Sequence, residues 1–183
     1  MPAVKIGTYT IDEWLSWGEN VRAELYEGEL FMLAQPTQRH QGILMELSTQ
    51  LHTFLKGKPC KVFPAPFGVV LSDKEHTAFE PDIVVICDKS KLGGKVFHGT
   101  PDMVIEILSP STAHMDRNYK YKKYQNAGVR EYWIVDTEGN FIQAGVLQGN
   151  RYITTVYDIE DETAPVSILE GCGINLIDVF SEE

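Results

Sequence analysis

The chain has little cysteine, little positive charge and no long apolar run, and each shortage argues against a class of protein. Its three cysteines, Cys60, Cys87 and Cys172, are widely separated and form no CxxC pair. An odd number at such spacing is typical neither of a disulfide framework nor of a zinc site, so we predict reduced thiols that pack in the interior. Lysine and arginine number 16 against 26 aspartates and glutamates, which gives a formal net charge of -10. That charge argues against indiscriminate nucleic-acid binding and leaves room only for a local basic patch.

The apolar stretches are too short to cross a bilayer, which takes about 20 apolar residues in a helix. The first residues, MPAVKIGTYTIDEW, contain no continuous apolar segment of the kind found in a signal peptide. We therefore expect a cytoplasmic protein without a membrane segment. The length of 183 residues suits one domain with a substantial core, so we predict a single domain over residues 1–183.

Hydrophobic periodicity predicts a mixture of helices and strands. The strongest helical signal is QRHQGILMELSTQLHTFLKG, and a second helix is predicted from about Ala113 to Ala127. Short apolar runs in PDIVVICD, PDMVIEILS and EYWIVD predict buried strands. Hairpins are predicted from Arg22 to Ala34 and around Gln148-Gly149-Asn150. The order helix, strand, strand, strand, helix, strand favours an α/β (α+β) fold, with a mixed central sheet flanked by helices and additional β-hairpins.

Glu106 is a single carboxylate inside the apolar run MVIEIL. An ionised acid left dry in a strand costs several kcal/mol, so Glu106 must be paired, protonated, hydrated or bound to a cation. An ion pair with a lysine or arginine is the simpler account. If the PDIVVICD and PDMVIEILS strands are neighbours, however, Asp82 and Glu106 converge. Together with the backbone carbonyl of Ile107 they form the hard oxygen site that magnesium or manganese prefers.

The helix after this strand is the most basic stretch of the chain. Asp116, Lys120 and Tyr124 are spaced four apart and share one helical face, so Asp116 and Lys120 could equally form an ordinary surface pair. The basic residues of the segment are interleaved with tyrosines and include Arg117, Lys120, Lys122, Lys123 and Arg130. A solvated face would explain them, but phosphate contact is the better account if Glu106 opens onto the same side. Arg39 and His40 begin the long helix, where an anion site is plausible and a structural histidine is the alternative.

Several segments together resemble a known family. AELYEGELFML, PTQRHQ, EPDIVVI, TPDMVIEILSPST and DRNYKYKKYQNAGVREYWIVD resemble, in order and spacing, the Uma2 (DUF820) family of restriction-endonuclease-like proteins, within the PD-(D/E)XK nuclease superfamily. The resemblance covers roughly residues 10–140. It implies a core of helix, three strands, helix and strand over about residues 37–136, in agreement with the order predicted from periodicity.

The resemblance also assigns roles to individual residues. Asp82 matches the acid of the PD half-motif and Glu106 the acid of the (D/E)xK half-motif. The superfamily's lysine position is occupied by Leu108, and the resemblance implies that a lysine on the next helix replaces it. Lys120 is the preferred replacement, with Lys122 and Lys123 as alternatives. Glu29, or with less support Glu24, matches the family's N-terminal acid, which would complete the metal site.

These observations predict a metal-dependent DNA endonuclease that hydrolyses phosphodiester bonds with Mg²⁺ or Mn²⁺. DNA would be the partner, and a homodimer is expected by analogy with nucleases that cut two strands. Two alternatives stay open: a non-catalytic nuclease-like binding or assembly module, and a metal-dependent hydrolase of a small phosphorylated substrate. The predicted residues are Asp82, Glu106 and Lys120 for catalysis; Asp82, Glu106, the Ile107 carbonyl and Glu29 for the metal; and Arg39, His40, Arg117 and Lys123 for substrate.

Overall fold

The structure is a computed structural model that describes residues 8–17, 21–110 and 112–181. Its α-helices are α1 (Ile11–Ser16), α2 (Gln38–Leu55), α3 (Tyr121–Ala127) and α4 (Leu176–Phe180). A π-helical turn, Met115–Lys120, leads directly into α3. The strands are β1 (Ala23–Tyr26), β2 (Glu29–Met32), β3 (Lys61–Pro64), β4 (Val69–Ser72), β5 (Thr77–Phe79), β6 (Ile83–Ile86), β7 (Phe97–His98), β8 (Met103–Ile107), β9 (Glu131–Asp136), β10 (Phe141–Gln148), β11 (Arg151–Asp158), β12 (Thr163–Pro165) and β13 (Gly173–Asn175).

The strands form a five-stranded sheet in the order β2-β1-β5-β4-β7 and a six-stranded sheet in the order β11-β10-β9-β8-β6-β3. A short pair, β12 and β13, forms a separate two-stranded sheet. The six-stranded sheet is mixed, since β8 runs parallel to β9 and antiparallel to β6. The predicted class, a mixed sheet flanked by helices with additional hairpins, is therefore confirmed. None of the helices in the described ranges is long and apolar enough to span a membrane.

Helix α2 packs against one face of the six-stranded sheet. Its N-cap is Thr37, whose side chain accepts a hydrogen bond from the His40 backbone N–H. Six apolar residues of α2 fall at helical spacing. Phe54 is half-buried, and the other five are buried: Ile43, Leu44, Leu47, Leu51 and Leu55. Each side chain fully buried in this way stabilises the fold by about 1.5–3 kcal/mol. This packing fixes the first turn of α2, which carries His40.

The strand β8 is buried on both faces, and its alternation decides where Glu106 points. Ile105 and Ile107 belong to the apolar cluster under α2, whereas Leu108 belongs to the cluster on the opposite face, with Tyr124 of α3. Because side chains alternate along a strand, Glu106 points toward the π-helical turn and α3. Leu108, on the same face as Glu106, fills apolar space there.

The prediction that all three cysteines are reduced is wrong for two of them. Cys60 and Cys87 form a disulfide, while Cys172 is free and buried. Strand β3 pairs antiparallel with β6 so that Lys61 lies opposite Ile86, which places the preceding and following cysteines opposite each other. The two residues are 27 apart in sequence, so their spacing gave no sign of this contact.

Candidate active site

The candidate site lies where the two large sheets meet. The chain leaves the five-stranded sheet at the end of β5 and enters the six-stranded sheet at the start of β6, with only Glu80, Pro81 and Asp82 between them. Proline suits this junction, because it need not donate a hydrogen bond to a strand ladder. The first sheet supplies Glu24, on β1, and the second supplies Glu106. Both face the π-helical turn.

The ammonium group of Lys120 is held by three carboxylates from three different elements. Its Nζ lies 2.9 Å from Oε1 of Glu24, 3.0 Å from Oε1 of Glu106 and 3.2 Å from Oδ1 of Asp116. All four side chains are almost fully buried, with exposed fractions of 2–4%. The contact with Asp116 lacks hydrogen-bond geometry, and this Oδ1 has no hydrogen-bond partner. Lys120 therefore ties β1, β8 and the helix together through charge.

Tyrosines close the inner side of this cluster. The hydroxyl of Tyr124 donates to Oε1 of Glu106 at 3.2 Å, the same oxygen that Lys120 contacts. The hydroxyl of Tyr132 donates to the backbone carbonyl of Asp116 at 3.0 Å, which fixes the π-helical turn against β9. One oxygen of Glu106 thus receives two donors. π-Helical turns such as Met115–Lys120 carry one residue more than an α-helical turn and often occur at functional sites.

Three buried acids around one lysine produce strong electrostatic effects. Burial raises the pKa of Glu106 well above its ordinary value; Lys120 opposes this shift, and the neighbouring acids add to it. Burial also raises the pKa of Glu24, again against the attraction of Lys120. Burial disfavours the Lys120 ammonium, but Glu106, Glu24 and Asp116 outweigh this and raise its pKa well above the ordinary value. With all three acids ionised the cluster would carry more negative than positive charge, so a further cation would favour the ionised form.

Asp82 is held next to Glu106 by the backbone and by His40. Its Oδ2 accepts a hydrogen bond of 2.8 Å from the Ile107 N–H and lies 3.3 Å from Nε2 of His40. His40 occupies the first turn of α2. Burial disfavours its charged form, but the hydrogen bond and charge of Asp82 outweigh burial and raise the pKa of His40. Asp82 is therefore fixed in orientation from two sides.

These groups border one cavity of about 520 Å³. Its polar wall contains Asp82, Glu106, Asp116, Lys120 and His40, with Arg22 paired to Glu80 at its rim. The remaining wall is formed by loop residues before α2, around Pro66 and after β8. An open cavity with fixed acids, a buried lysine and an imidazole can bind a cation and a phosphate ester together.

The sequence model of one protein family, described as "Putative restriction endonuclease", matches residues 11–177. The chain belongs to the Uma2 family. An uncharacterized protein of Synechocystis sp. is 27% identical to this Uma2 chain over 140 residues, which are 74% of the chain and 73% of that protein. A second uncharacterized protein of Synechocystis sp. is 25% identical over 118 residues, 63% of the chain and 66% of that protein.

A solved structure resembles most of the Uma2 chain. It is described as a crystal structure of "a putative nuclease belonging to DUF820" from Anabaena variabilis. It superposes with a TM-score of 0.79 at 23% sequence identity and covers 93% of this chain and 97% of its own. At this identity the likeness shows a shared fold.

The structure brings some of the predicted site residues of the Uma2 chain together and leaves others outside. Asp82, Glu106, Ile107, Lys120 and His40 all line the cavity. The remaining predicted residues lie elsewhere: Glu29, Arg39, Arg117 and Lys123.

Of the two N-terminal acids considered for the site, Glu24 and not Glu29 lies in the cluster around Lys120. Glu29 is exposed and lies opposite Tyr26 beside the hairpin turn. Glu24 lies deeper in the hairpin and contacts Lys120. The two lysines considered as alternatives to Lys120 lie outside the cluster. Lys122 is exposed, and Lys123 pairs with Glu27 at 2.7 Å and with Glu75 at 2.6 Å.

The two arginines proposed for substrate are engaged at the β9–β10 turn. Arg39 donates to the Thr137 carbonyl and to the Asn140 side chain, at 3.0 and 2.6 Å. Arg39 directly precedes His40 on α2. Because neighbouring helical residues point about 100° apart, the two side chains point in different directions. Arg117 donates to Oδ2 of Asp136 at 2.7 Å, in a shallow depression beside the cavity. The prediction that Arg39 and Lys123 contact substrate in the same site as Glu106 is not supported by their positions.

Sequence reasoning missed three contributors to the site. Arg22 had no signal beyond its place at the start of the predicted hairpin. Tyr124 and Asp116 share the helical face of Lys120, and this spacing was the available signal. The burial of Tyr124 and Asp116 depends on packing against the sheet, which the spacing of residues along the helix cannot show.

The oxygen atoms at the site are of the type that a hard cation such as Mg²⁺ prefers. Asp82 and Glu106 offer carboxylates and Ile107 a backbone carbonyl on one cavity wall. No group of three or more His, Cys, Asp or Glu side chains in the described part of the chain is arranged to hold a metal ion. The candidate ligands for a cation are the carboxylates of Asp82 and Glu106, the Ile107 backbone and water. Magnesium is commonly bound in this way, by one or two carboxylates with several waters retained.

Proposed function

We propose that this protein is a nuclease that hydrolyses phosphodiester bonds of DNA and depends on Mg²⁺ or Mn²⁺. The observation that carries the proposal is the meeting of Asp82, Glu106 and Lys120 on one cavity. The two acids occupy the acidic positions of the PD-(D/E)XK pattern, and Lys120 reaches Glu106 from the following helix in place of the strand lysine. Membership of a family described as "Putative restriction endonuclease" supports the same reaction class.

Asp82 and Glu106, with the Ile107 carbonyl, would hold the cation. When bound, such a cation polarises a phosphoryl oxygen and lowers the pKa of water. Asp82 is oriented for this by the Ile107 N–H and His40, and Glu106 by Tyr124 and Lys120. The carboxylates of these residues therefore need little reorganisation when a cation binds, which favours binding.

Lys120 would stabilise the charge that develops on the phosphoryl group. Its position replaces the lysine missing at Leu108, since Nζ reaches Glu106 from the helix rather than from β8. Glu24 and Asp116 hold the ammonium in place, and the raised pKa of Lys120 keeps it charged. A fixed, desolvated positive charge stabilises a transition state more than a mobile one in water does.

Cleavage of single-stranded, double-stranded and branched DNA with Mg²⁺ or Mn²⁺ tests the proposal in wild type and Glu106→Gln. The substitution keeps the size of the side chain, and we expect it to lower the rate by roughly a hundredfold or more. Glu170→Gln, at an exposed residue far along the chain, is the matched control and should cleave like wild type. Equal rates in wild type and Glu106→Gln would overturn the proposal.

A second candidate is a non-catalytic module with a nuclease fold. It is favoured by the extent to which Lys120 is already neutralised, because three buried carboxylates satisfy it without any ligand. Calorimetric titration with Mg²⁺ separates the two candidates. Heat of binding that disappears in Glu106→Gln supports the nuclease, whereas absent binding together with absent cleavage supports the module.

A further inference from the structure

Strand β11 is the longest edge strand among the described residues. It pairs with β10 on one side through eight consecutive residue pairs, from Phe141 opposite Asp158 to Gln148 opposite Arg151, without a bulge. No strand of residues 8–17, 21–110 or 112–181 lies on its other side. The edges β2 and β3 have four residues each and β7 has two, and β3 also carries Lys61 and Pro64, which oppose strand pairing. An edge of eight residues without proline, glycine or lysine lacks those protections.

Among the residues that the structure describes, the outward N–H groups of β11 have partners at its two ends only. The two-residue turn Gly149-Asn150 makes Arg151 and Gln148 a hydrogen-bonded pair, so every second residue from Tyr152 onward directs its N–H away from β10. The Tyr152 N–H donates to Oε1 of Gln125 and the Asp158 N–H to Oδ2 of Asp161, each at 2.9 Å.

The middle of the edge is open and partly apolar. Within the described ranges, the outward N–H groups of Thr154 and Val156 have no hydrogen-bond partner. Ile153 is 42% exposed and Val156 is 55% exposed. Backbone groups and apolar side chains are thus presented together, as at edges that accept another strand.

We propose that a second copy of this chain pairs its own β11 antiparallel with this edge, about a two-fold axis at Thr155. Thr154 of each copy then lies opposite Val156 of the other, and four backbone hydrogen bonds satisfy the open groups of both. A two-fold axis perpendicular to the sheet keeps the buried face of each copy on the same side, so the two sheets become one.

The charges of β11 favour this occupant and this direction. Arg151 stands at one end of the strand, and the acidic turn Asp158–Asp161 stands at the other. Antiparallel pairing brings Arg151 of each copy toward the acidic turn of the other, whereas parallel pairing would place like charges together. The edge is therefore complementary to itself.

Sedimentation velocity measures the oligomeric state directly. We expect wild type to sediment as a dimer, at twice the chain mass of 20.6 kDa. Val156→Lys should be a folded monomer, because it places a charge at each end of the paired segment while leaving the β10 ladder intact. Met45→Lys, at a 65% exposed residue on α2, is the matched control and should stay dimeric. Wild type that sediments as a monomer overturns the proposal.

A cysteine substitution tests the register. Thr155→Cys should form an intermolecular disulfide under mild oxidation, because Thr155 faces its own copy across the axis. Thr154→Cys should react much less, since Thr154 faces Val156. The native cysteines do not interfere, because two are bonded to each other and Cys172 is buried. A dimer that persists in Val156→Lys, without cross-linking through position 155, would show that the copies associate elsewhere and would overturn the proposal.

Discussion

Replacing Lys120 with methionine should destabilise the protein strongly. Methionine fills a similar volume but leaves Glu24, Glu106 and Asp116 without the ammonium that lies within 3.2 Å of each. Removing one partner of a buried ion pair costs about 3–5 kcal/mol. For a chain of this length we expect the midpoint of thermal unfolding to fall by roughly 6–20 °C, at about 2–4 °C per kcal/mol. Lys122→Met, at an exposed position of the same helix, should change it little.

The loss of stability in Lys120→Met should also depend on pH. Burial raises the pKa of Glu24 and of Glu106 in the folded state, so these groups contribute stability below their ordinary pKa of 4.5 and lose it as pH rises through the raised value. Without Lys120 the penalty for ionising them grows. The difference in midpoint between wild type and Lys120→Met should therefore be larger at pH 8 than at pH 5.

Differential scanning calorimetry at both pH values, with the double variant Lys120→Met/Glu24→Gln, completes the test. Removing one uncompensated carboxylate should recover part of the lost stability. If Lys120→Met unfolds within about 2–4 °C of wild type at pH 8, corresponding to about 1 kcal/mol, the three carboxylates do not depend on this lysine and the electrostatic reasoning fails.

Three further outcomes are expected. Tyr124→Phe removes a donor to the buried Glu106 and should lower the free energy of unfolding in urea by about 1.5–3 kcal/mol, whereas an unchanged midpoint would show that this hydrogen bond adds nothing. Leu108→Lys introduces a lysine at the position where the PD-(D/E)XK pattern has one, but it buries an ammonium among apolar side chains. It should lower the thermal midpoint without raising cleavage per folded molecule, and a gain in cleavage would contradict the assignment of Lys120. Without reductant, thiol titration should find one reactive cysteine per denatured chain and slow reaction of the native protein, because burial raises the pKa of Cys172 to about 11; three thiols would exclude the disulfide.

The strands and long helices could be predicted because each has a periodicity of its own. The two predicted hairpins and the helix around Lys120 are confirmed by the structure. Strands β5, β12 and β13 have three residues each, too few for a periodic signal. Their pairing depends on partners distant in the chain, which one sequence does not reveal.

The site was predictable where one residue type was out of place and less so where two similar residues competed. Glu106 was identified because an acid in an apolar run must have a partner. Glu24 and Glu29 could not be separated by alternation, because the hairpin register places both on the same face of the sheet. Depth decides between them: Glu24 lies opposite Phe31 under the helix, and Glu29 lies at the solvent-exposed turn.

The junction between the two sheets limits how far this protein can be reduced in size. A fragment beginning at α2 would retain Asp82, Glu106 and Lys120, and so would contain every residue of the proposed catalytic motif. It would lack the β1–β2 hairpin, and with it Glu24 and the strand that pairs with β5. Engineers who trim the chain, or graft its pocket onto another scaffold, must therefore carry the N-terminal hairpin along with the motif-bearing core.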